Sequence, residues 1–450
     1  MKRKRLSKGI KKYFALLSVT MLMFFSCAPL CAVAAPAVSG EAAILIDART
    51  GNVLYEKNSE KVMFPASTTK IMTAIVALDA VEKGEISLEQ PLTLQKEAFD
   101  TLDPDGSSIG LKVGEEMKLI NLLEGLLIAS GNDAAVTIAQ GVSGSIEAFV
   151  VRMNEKAKEL GLSSTRFENP HGLHHPQHYT TAYDMSQMAF FAMKNKTFRG
   201  IVECAHIYLP ATNMSDKRYF INTNNLVSRM RYPYYFYDYA TGIKTGSTSE
   251  AGYCLVSSAQ NGDKSVISVL FNAEDISISH NESKAILEFG LTEFKAQRLA
   301  KRDDIFGEVK VKQAADGTDH LLLSAEENLD AMFPKNGDPS KVTITTEIPE
   351  KVYAPIKSGQ VIGKAIFNYE GKKVGEVNLI STVELDRHFL GFIQTLGEWL
   401  WGIKVIRLVV YVFFGLVLGF VALIVIGFVR AIKKSKRKRR RSSTYHPPRY

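Results

Sequence analysis

Three short motifs contain residue types that suit acyl transfer through a serine nucleophile. The first is Ser67-Thr68-Thr69-Lys70 at a predicted helix start, where residues i and i+3 share a face, so the lysine amine can reach the serine hydroxyl. A lysine that has given up its proton can act as base for the serine, and free N–H groups at a helix N-terminus can stabilise an oxyanion. A further Ser-x-x-Lys at residues 435–438 lies in a basic tail and is incidental.

The second and third motifs supply polar groups that could assist the serine. Ser130-Gly131-Asn132 lies between two predicted helices, where a serine hydroxyl can relay a proton and an asparagine amide can orient a lysine or a carbonyl. Lys244-Thr245-Gly246 lies on a predicted strand, and Gly246 leaves room for a close approach. Taken singly, the second motif is equally a helix cap, and Lys244 would face solvent. Only the set of three indicates catalysis.

The predicted elements place all three motifs in one domain. Two strands surround a turn at residues 48–52, and Asn261-Gly262 marks a hairpin between two later strands. Helices are predicted at residues 67–81, 119–129, 133–141, 146–160, 181–193 and 283–294, and further strands at 240–247, 252–259 and 265–272. This order predicts an α/β-type domain over residues 35–296.

The chain after residue 296 has a different pattern. Apolar and polar residues alternate, as at Leu321 to Leu323, and Gly, Pro and Asp turns separate the segments. We therefore expect a small all-β domain at residues 297–384 that acts as a spacer or a binding module. Four Cys in 450 residues exclude a disulfide-stapled scaffold, and whether Cys204 and Cys254 pair stays open.

Both ends of the chain are basic, whereas the body between them is mildly acidic. Residues 1–12 carry seven Lys/Arg and residues 430–450 carry ten, with no acidic residue in either segment, although the net charge of the whole chain is only +8. This distribution is typical of a chain handled by a membrane and not of a nucleic-acid-binding protein.

Residues 1–34 are predicted to form a secretory signal peptide. The basic stretch precedes an apolar run at residues 13–25, and Ala32-Val33-Ala34 fits the small-x-small cleavage pattern. One alternative is an uncleaved anchor, for which the apolar run is short. Another is a lipoprotein signal at Cys27 or Cys31, but the residues before each lack the usual Leu-small-small run.

The C-terminal region predicts a membrane anchor. Residues 408–429 contain no charged side chain and are long enough to cross a bilayer as a helix. The basic residues 430–450 then form a cytoplasmic tail near anionic lipid. Residues 385–407 are predicted to form an amphipathic juxtamembrane segment, with a simple helical stalk as the alternative. We expect a single-pass cell-membrane protein whose α/β domain is extracytoplasmic.

Together the motifs resemble the set found in penicillin-binding proteins and β-lactamases. The chain resembles one branch in particular, the low-molecular-mass D-alanyl-D-alanine carboxypeptidases of serine peptidase family S11, over about residues 40–295. The stretches that carry this resemblance are Phe64-Pro65-Ala66-Ser67-Thr68-Thr69-Lys70, Gly106-Ser107-Ser108, Ser130-Gly131-Asn132-Asp133-Ala134, His171-Gly172-Leu173, Thr180-Thr181-Ala182, Asp184-Met185, Asn222-Thr223-Asn224, Gly242-Ile243-Lys244-Thr245-Gly246-Ser247 and Ala251-Gly252-Tyr253.

The resemblance implies a fold and a reaction. The fold is a multidomain α/β architecture: a β-lactamase/transpeptidase-like domain with an antiparallel sheet flanked by helices and a helical subdomain, then a small all-β sandwich and a C-terminal transmembrane helix. In the reaction, Ser67 is the acylated nucleophile, Lys70 is its base, and Ser130 passes a proton to the leaving D-alanine. The substrate is a peptidoglycan stem peptide ending in D-Ala-D-Ala, and β-lactams acylate and inhibit the enzyme.

The resemblance also implies which residues bind the substrate. Asn132 orients the substrate and Lys70, while Lys244 and Thr245 hold the terminal carboxylate. The backbone N–H groups of Ser67 and Ser247 form the oxyanion hole. No metal and no organic cofactor is implied, and the expected partners are the stem peptide, β-lactams and membrane lipid, without nucleic acid.

Two features depart from the family pattern. Some relatives have Arg in the middle of the Asn-x-Asn element, where it helps bind the substrate carboxylate, but this chain has Thr223, and Arg218, Arg229 or Arg231 are candidates to replace the missing arginine. The loop at residues 171–178 contains extra histidines, which a metal site would use. No acidic residue accompanies them at helical spacing.

Three other functions remain open at this stage. A serine β-lactamase needs a group that hydrolyses the acyl-enzyme rapidly, and Glu168 is the nearest candidate although its spacing does not match. A catalytically silent wall-binding protein would have lost Ser67, Lys70 or Lys244, and all three are present. Endopeptidase activity on D-Ala cross-links would use the same site as a minor activity.

Overall fold

The structure is a computed structural model that describes residues 35–387 and 401–442 of the 450-residue chain. The predicted signal peptide therefore lies outside the described residues. So do residues 388–400 of the predicted juxtamembrane segment and residues 443–450 of the predicted tail.

Strands and helices alternate up to residue 293, strands follow to residue 381, and a long helix lies near the C-terminus. The strands are β1 (Ala42–Asp47), β2 (Val53–Lys57), β3 (Val62–Met63), β4 (Pro91–Thr93), β5 (Glu116–Lys118), β6 (Thr180–Thr181), β7 (His206–Leu209), β8 (Arg218–Ile221), β9 (Ala240–Thr248), β10 (Gly252–Asn261), β11 (Lys264–Ala273), β12 (Phe294–Ala300), β13 (Ile305–Lys312), β14 (His320–Ala325), β15 (Leu329–Pro334), β16 (Thr343–Glu347), β17 (Lys351–Tyr353), β18 (Val361–Tyr369) and β19 (Lys372–Ser381). The helices are α1 (Lys70–Glu82), α2 (Lys96–Phe99), α3 (Leu119–Ile128), α4 (Asn132–Ser143), α5 (Ile146–Glu159), α6 (Ala182–Ala192), α7 (Lys196–Val202), α8 (Ile276–Glu293) and α9 (Lys404–Ser442).

A five-stranded antiparallel sheet in the order β2-β1-β11-β10-β9 forms the centre of the α/β part. Both of its faces are apolar, because side chains alternate between two buried clusters along each strand. On β1, Ile44 and Ile46 pack toward helices α1 and α3 to α6, whereas Leu45 packs with Ile286 and Leu287 of α8. The sheet therefore lies between a helical layer and α8, and β9 is its edge strand.

Three predicted features of this sheet are confirmed, with small differences in length. The two strands around residues 48–52 are β1 and β2, and the three later strands are β9, β10 and β11. The hairpin between β10 and β11 turns at Gly262 and Asp263, since Asn261 pairs with Lys264 and Gly262 has a φ of +60°. That positive φ is the conformation that a tight hairpin needs and that glycine adopts without strain.

Helix α8 begins seven residues before the predicted start at Ser283. Asp275 caps it, because its side chain accepts a hydrogen bond from the backbone N–H of Ile278 at 2.7 Å. The polar run that follows Ile276 hides the apolar periodicity, which explains why the prediction began too late. The early start matters for function, because the first turns of α8 line the cleft described below.

The residues after 293 are all β up to residue 381. Strand β12 pairs with β15, and a six-stranded sheet has the order β16-β18-β19-β14-β13-β17. Within it β13 and β14 are antiparallel, whereas β13 and β17 are parallel. The predicted all-β character of this region is confirmed.

Contacts divide the described residues into two units. The first comprises residues 35–299, Leu329–Ile344 and Phe367–Glu376, and it contains every residue of the three motifs. The second comprises Ala300–Asn328, Thr345–Ile366 and residues 377–387 and 401–442. Helix α9 belongs to the second unit, and its residues 404–435 are long and apolar enough to cross a membrane.

Candidate active site

Ser67 lies on a single 3-10 turn, Ala66–Thr69, immediately before α1. The sequence predicts Ser67 within the helix, but the turn is tighter than an α-helix and Lys70 is the first α-helical residue. The turn is closed by Thr68, whose hydroxyl donates to the Pro65 carbonyl at 2.6 Å. Ser67 is half-buried, so its hydroxyl can meet a ligand while its backbone stays fixed.

Lys70 reaches back to the serine, as the motif spacing predicts. Its Nζ lies 2.8 Å from Ser67 Oγ. It also donates hydrogen bonds to Asn132 Oδ1 at 2.7 Å and to the His171 carbonyl at 2.8 Å. A neutral amine has two N–H groups and one lone pair, so two such acceptors leave the lone pair directed at the serine hydroxyl. This arrangement suits transfer of the Ser67 proton to Lys70.

The Ser130-Gly131-Asn132 motif forms the connection between α3 and α4. Ser130 has a φ of +63°, a left-handed conformation that residues with side chains rarely adopt and that clusters at functional sites. The backbone N–H of Asn132 donates to the Ser107 carbonyl at 2.7 Å, which fixes the loop beside a second serine. The motif is therefore a helix break, and its asparagine also contacts Lys70.

Asp133 is a supporting residue to which the sequence alone assigns no role. It is buried, and its carboxylate accepts hydrogen bonds from Ser108 Oγ at 2.5 Å and from the backbone N–H groups of Ile109 and Leu111 at 3.0 and 2.9 Å. These bonds hold the 106–111 loop against the start of α4. Acidic residues are generally favoured in the first turn of a helix. The sequence alone therefore cannot distinguish an aspartate that holds the 106–111 loop from one that only stabilises the helix N-terminus.

Lys244 is fully buried on β9, contrary to the solvent-facing position that strand alternation predicts. The reason is that β9 is covered on both sides, since the neighbouring Ile243 is equally buried. Lys244 Nζ donates to the Thr245 carbonyl at 2.9 Å, and the Thr245 hydroxyl donates to the Thr223 hydroxyl at 2.8 Å. Through Gly246, the third motif lies against the 3-10 turn Ala66–Thr69, which we call the nucleophile turn after the predicted role of Ser67.

Gly246 permits the closest approach between β9 and the nucleophile turn. A Cβ atom at this position would lie 2.9 Å from the Ser67 nitrogen and 3.0 Å from the Thr68 nitrogen. Contacts this short with backbone atoms are not tolerated, so only glycine fits without displacing one element. Ser247, one residue further along β9, is exposed.

Both lysines have lowered pKa values. Burial, and in second place the like charge of Lys244, hold the pKa of Lys70 well below its usual value, while Asp133 acts in the opposite direction. Burial lowers the pKa of Lys244 to about 7.

A cleft of about 180 Å³ joins four of the seven predicted site residues, and Lys70, Asn132 and Lys244 lie behind its wall without lining it. Its lining residues in the described part of the chain are Ser67, Ser107, Ser130, Thr223, Asn225, Arg231, Thr245, Gly246, Ser247, Tyr253, Cys254, Ile276, Ser279 and His280. The set contains Ser67, Ser130, Thr245 and Ser247 from the predicted site. No Asp or Glu belongs to it. The contributions of Asn225 and of the start of α8 were not predicted.

The histidines of the 171–178 loop do not form a cluster suited to a metal ion, and no such group exists among residues 35–387 and 401–442. His178 instead lies 2.9 Å from the Thr69 hydroxyl through its Nε2. Burial lowers the pKa values of His171 and His178 to about 3, so both rings are neutral structural groups at ordinary pH. Cys204 is exposed and Cys254 buried, and neither forms a disulfide.

Comparison with known proteins agrees with this geometry. The family model described as D-alanyl-D-alanine carboxypeptidase matches residues 30–275, and that described as penicillin-binding protein 5, C-terminal domain, matches residues 294–387. D-alanyl-D-alanine carboxypeptidase DacF of Bacillus subtilis is 35% identical over 80% of this chain and 90% of its own length. DacC of Escherichia coli is 34% identical over 77% of this chain and 84% of its own length.

Solved structures give the same result. Penicillin-binding protein 5 of Haemophilus influenzae matches with a TM-score of 0.65 and 28% identity, covering 79% of this chain and all of that protein's chain. The Streptomyces K15 DD-transpeptidase matches with a TM-score of 0.53 and 31% identity, covering 58% of this chain and 99% of its own. The chain has the penicillin-binding protein/transpeptidase-like fold followed by an all-β domain, and it belongs to the D-alanyl-D-alanine carboxypeptidase family, serine peptidase family S11.

Proposed function

We propose that this protein is a serine-type D-Ala-D-Ala carboxypeptidase that acts through an acyl-enzyme on Ser67. The observation that carries the proposal is the 2.8 Å separation of Lys70 Nζ from Ser67 Oγ, with Lys70 fully buried. Because its pKa is lowered, the buried Lys70 gives up its proton more readily than an ordinary lysine, and the neutral amine can then take the serine proton. A surface lysine would stay charged and could not.

In the acylation step, Ser67 Oγ attacks the carbonyl carbon between the last two D-alanines as its proton passes to Lys70. The C–N bond then breaks as Ser130, a neighbour on the cleft wall, passes its hydroxyl proton to the departing amine of D-alanine and takes in exchange the proton that Lys70 received from Ser67. Asn132 fixes Lys70 and presents its amide to the substrate. Water finally hydrolyses the ester, which releases the shortened peptide and restores the Ser67 hydroxyl.

The nucleophile turn and β9 stabilise the negative oxygen that forms during attack. The backbone N–H groups of Ser67 and Ser247 supply the oxyanion hole, and Gly246 keeps the space between them free of a side chain. Lys244 and Thr245 contribute positive potential and a hydroxyl for the substrate's terminal carboxylate. β-Lactams, which carry a strained amide and a carboxylate, acylate the same serine.

The cleft favours this reading over a β-lactamase. No Asp or Glu lines it among the described residues, so no carboxylate there is placed to activate water against the ester. The candidate Glu168 is instead paired with Arg166 at 2.7 Å. A slowly hydrolysed β-lactam adduct is therefore the expected behaviour.

The domain organisation and location complete the proposal. Residues 1–34 form the signal peptide, 35–296 the catalytic domain and 297–384 the all-β domain. Residues 385–407 contact the outer membrane–water interface, 408–429 span the lipid and 430–450 remain in the cytoplasm. The support is the length and apolar character of α9 and the basic residues that follow it. Substrate and β-lactams then reach the cleft from outside the cell.

A fluorescent penicillin tests the covalent step. Intact-mass spectrometry of the full chain in detergent should show one penicilloyl adduct, which peptide mapping places on Ser67. Ser67→Ala should abolish the adduct, whereas Ser249→Ala, an exposed serine beyond the end of β9, should leave it unchanged. An adduct that persists in Ser67→Ala would disprove the assignment of the nucleophile.

A further inference from the structure

Arg218, the first residue of β8, is bound to the loop that supplies Ser107 to the cleft. One of its guanidinium nitrogens donates hydrogen bonds to the carbonyl oxygens of Ile109 and Gly110, both at 3.1 Å. These two residues are distant from Arg218 along the chain, so the bonds join β8 to the 106–111 loop across the fold. The side chain of Arg218 is only 15% exposed, which limits competition from water for the same carbonyls.

A buried carboxylate holds Arg218 in this position. The second terminal guanidinium nitrogen donates to Glu115 Oε1 at 2.5 Å, and the Glu115 side chain is fully buried. The same carboxylate accepts hydrogen bonds from the backbone N–H of Lys112 at 3.0 Å and from the Thr212 hydroxyl at 2.7 Å. A buried ion pair keeps one geometry when such additional bonds satisfy its remaining atoms. The guanidinium is therefore held toward the loop, and Arg218 is not among the described residues that line the cleft.

Arg218 and Asp133 hold complementary groups of the same loop. Asp133 accepts hydrogen bonds from the N–H groups of Ile109 and Leu111, whereas Arg218 donates to the carbonyls of Ile109 and Gly110. Asp133 belongs to the first turn of α4 and Arg218 to β8. Because the loop is held from two different elements, it has little freedom to turn about either one, and this part of the cleft wall keeps one position.

The loop in turn contacts Asn132. The Asn132 backbone N–H donates to the Ser107 carbonyl at 2.7 Å. A Cβ built on Gly106 would lie 2.6 Å from Asn132 Nδ2, so the loop backbone packs directly against the amide side chain. The oxygen of that amide accepts the hydrogen bond from Lys70. A displacement of the loop would therefore displace the amide that fixes the base.

We infer that Arg218 is a positioning residue for acylation. It fixes the 106–111 loop, and through this loop it sets the Asn132 amide against Lys70 and against the cleft in which the substrate binds. The inference rests on the proposed function and adds a residue outside the three motifs. Arg218 acts through Asn132, so its loss changes how fast Ser67 is acylated and leaves the identity of the nucleophile and of the base unchanged.

The test measures the rate constant of penicillin labelling in the full chain in detergent, as wild type, Arg218→Met and Arg218→Lys. The matched control is Arg152→Met. Arg152 also pairs with a glutamate, Glu85 at 2.9 Å, and is 26% exposed, but this pair joins α5 to the end of α1 and does not contact the loop. The rate constant, unlike the amplitude of labelling, does not depend on how much of the protein is folded.

Arg218→Met should lower this rate constant by about 10- to 100-fold, because a displacement of about 1 Å in such a site lowers the rate by about 100-fold. Arg218→Lys should lower it less, since an ammonium keeps the charge but lacks the planar fork that reaches two carbonyls and a carboxylate together. Arg152→Met should match wild type. Hydrogen exchange of peptides that contain residues 106–111 and Asn132 should become faster in Arg218→Met and stay unchanged in Arg152→Met.

The rate constant decides the outcome. A wild-type value in Arg218→Met, even with a reduced amplitude, would show that the ion pair serves folding alone and would overturn the inference. An equal fall in Arg152→Met would overturn it as well, since that pair does not contact the loop. If Arg218→Met yields no folded protein, Arg218→Lys decides by the same measurement. Absence of Ser67 labelling in wild type would instead show that the proposed function itself has failed.

Discussion

The amine of Lys70 is enclosed by protein, and this enclosure determines its protonation. A charged ammonium loses its hydration on burial, and no buried carboxylate pairs with it directly: its hydrogen-bond partners are Ser67, the Asn132 amide and a backbone carbonyl. Lys244 adds a like charge, and only Asp133 opposes the shift. At the residue scale, then, the surroundings of Lys70 lower its pKa, and changing those surroundings should change that pKa.

The first prediction concerns Lys70 itself. Because its pKa is lowered and only the neutral amine can accept the Ser67 proton, acylation by penicillin should rise with pH through that lowered pKa and then level off. Lys70→Arg keeps a positive charge that does not deprotonate, so acylation should fall by about 100-fold or more across pH 5–10. Stopped-flow labelling measures the rate, and circular dichroism checks the fold. Near wild-type acylation in Lys70→Arg would remove Lys70 as base and leave Ser130 as the next candidate.

The second prediction concerns the charge of Lys244. Replacing it with methionine removes the like charge that helps depress the Lys70 pKa, so that pKa should rise. The acid limb of the acylation profile should therefore move to higher pH in Lys244→Met. The position of the limb is the readout, because the height of the plateau also falls when Lys244 no longer attracts the penicillin carboxylate. An acid limb at the wild-type pH would show that Lys244 does not influence Lys70.

At the scale of elements, the proposed catalysis depends on how closely β9 approaches the nucleophile turn. Gly246 faces the backbone nitrogens of Ser67 and Thr68 in that turn and the carbonyl oxygen of Pro65 just before it, which lies 3.1 Å from a Cβ built on the glycine. A second close approach occurs at Gly172, where a Cβ would collide with the Ala66 carbonyl. The turn therefore lies between Gly172 and Gly246. Because neither residue has a side chain, the neighbouring backbone can pack directly against the turn and hold Ser67 in position.

Gly246→Ala tests this approach. The added methyl group must push β9 away from the turn or distort the oxyanion hole, and a displacement of about 1 Å in such a site lowers the rate by about 100-fold. The free energy of unfolding should fall by about 1–3 kcal/mol, as for other overpacked sites. The matched control is Gly200→Ala in α7, where a Cβ meets no atom within 4 Å and alanine favours the helix. Equal acylation by Gly246→Ala and wild type would refute the steric argument.

The elements also show where sequence reasoning succeeds and where it stops. The helix break at Ser130 and the β10–β11 hairpin follow from local signals, and both were predicted. The burial of Lys244 was not predicted, because strand alternation predicts one exposed face, whereas Ile243 and Lys244, on opposite faces of β9, are both fully buried. The cleft wall formed by Ser279 and His280 was also missed, since polar residues in the first turns of α8 carry no apolar period. Local patterns reveal elements, whereas tertiary packing decides which polar side chains become part of a site.

At the scale of the whole molecule, two buried histidines link folding to pH. The folded pKa values of His171 and His178 are about 3, below the ordinary value of 6.5. Between these values the unfolded chain binds protons that the folded chain does not, so stability is fully present above about pH 6.5 and is lost as pH falls toward about 3. Each histidine contributes a slope of up to about 1.4 kcal/mol per pH unit.

This predicts a steep loss of stability in weak acid that His178→Gln should flatten. Glutamine keeps a polar atom near the Thr69 hydroxyl but does not titrate, so one of the two slopes disappears. Urea unfolding at pH 4, 5, 6 and 7, followed by far-UV circular dichroism, measures the free energy of unfolding at each pH. His175→Gln, at an exposed histidine of the same loop, is the comparison: the charge of His175 contributes to the lowered pKa of His178, so its removal should reduce the slope only in part. A slope unchanged in His178→Gln would refute the assignment.

The C-terminal helix is the basis for the membrane location that we propose for the chain. In α9 the side chains of Leu416, Leu418 and Phe420 are each more than 60% exposed, an apolar surface that water does not tolerate over this length. As a helix, residues 408–429 span about 33 Å, enough for the hydrocarbon core. We therefore expect the chain to sediment with membranes, and external protease on protoplasts to release a fragment that still binds penicillin.

Introducing two lysines into the middle of the apolar segment tests whether α9 anchors the chain in the membrane. Leu418→Lys with Val421→Lys should disfavour insertion by about 2.5–3.5 kcal/mol per lysine, and the penicillin-binding protein should then appear in the medium. Leu418→Ala with Val421→Ala changes the same two positions without introducing charge, and this variant should remain in the membrane. A reporter enzyme fused after Tyr450 and active only in the cytoplasm confirms the orientation set by the basic tail. A reporter active only outside the cell would show that the orientation is the opposite of the proposed one. The cleft would then lie on the cytoplasmic side, away from the cell wall that supplies the proposed substrate.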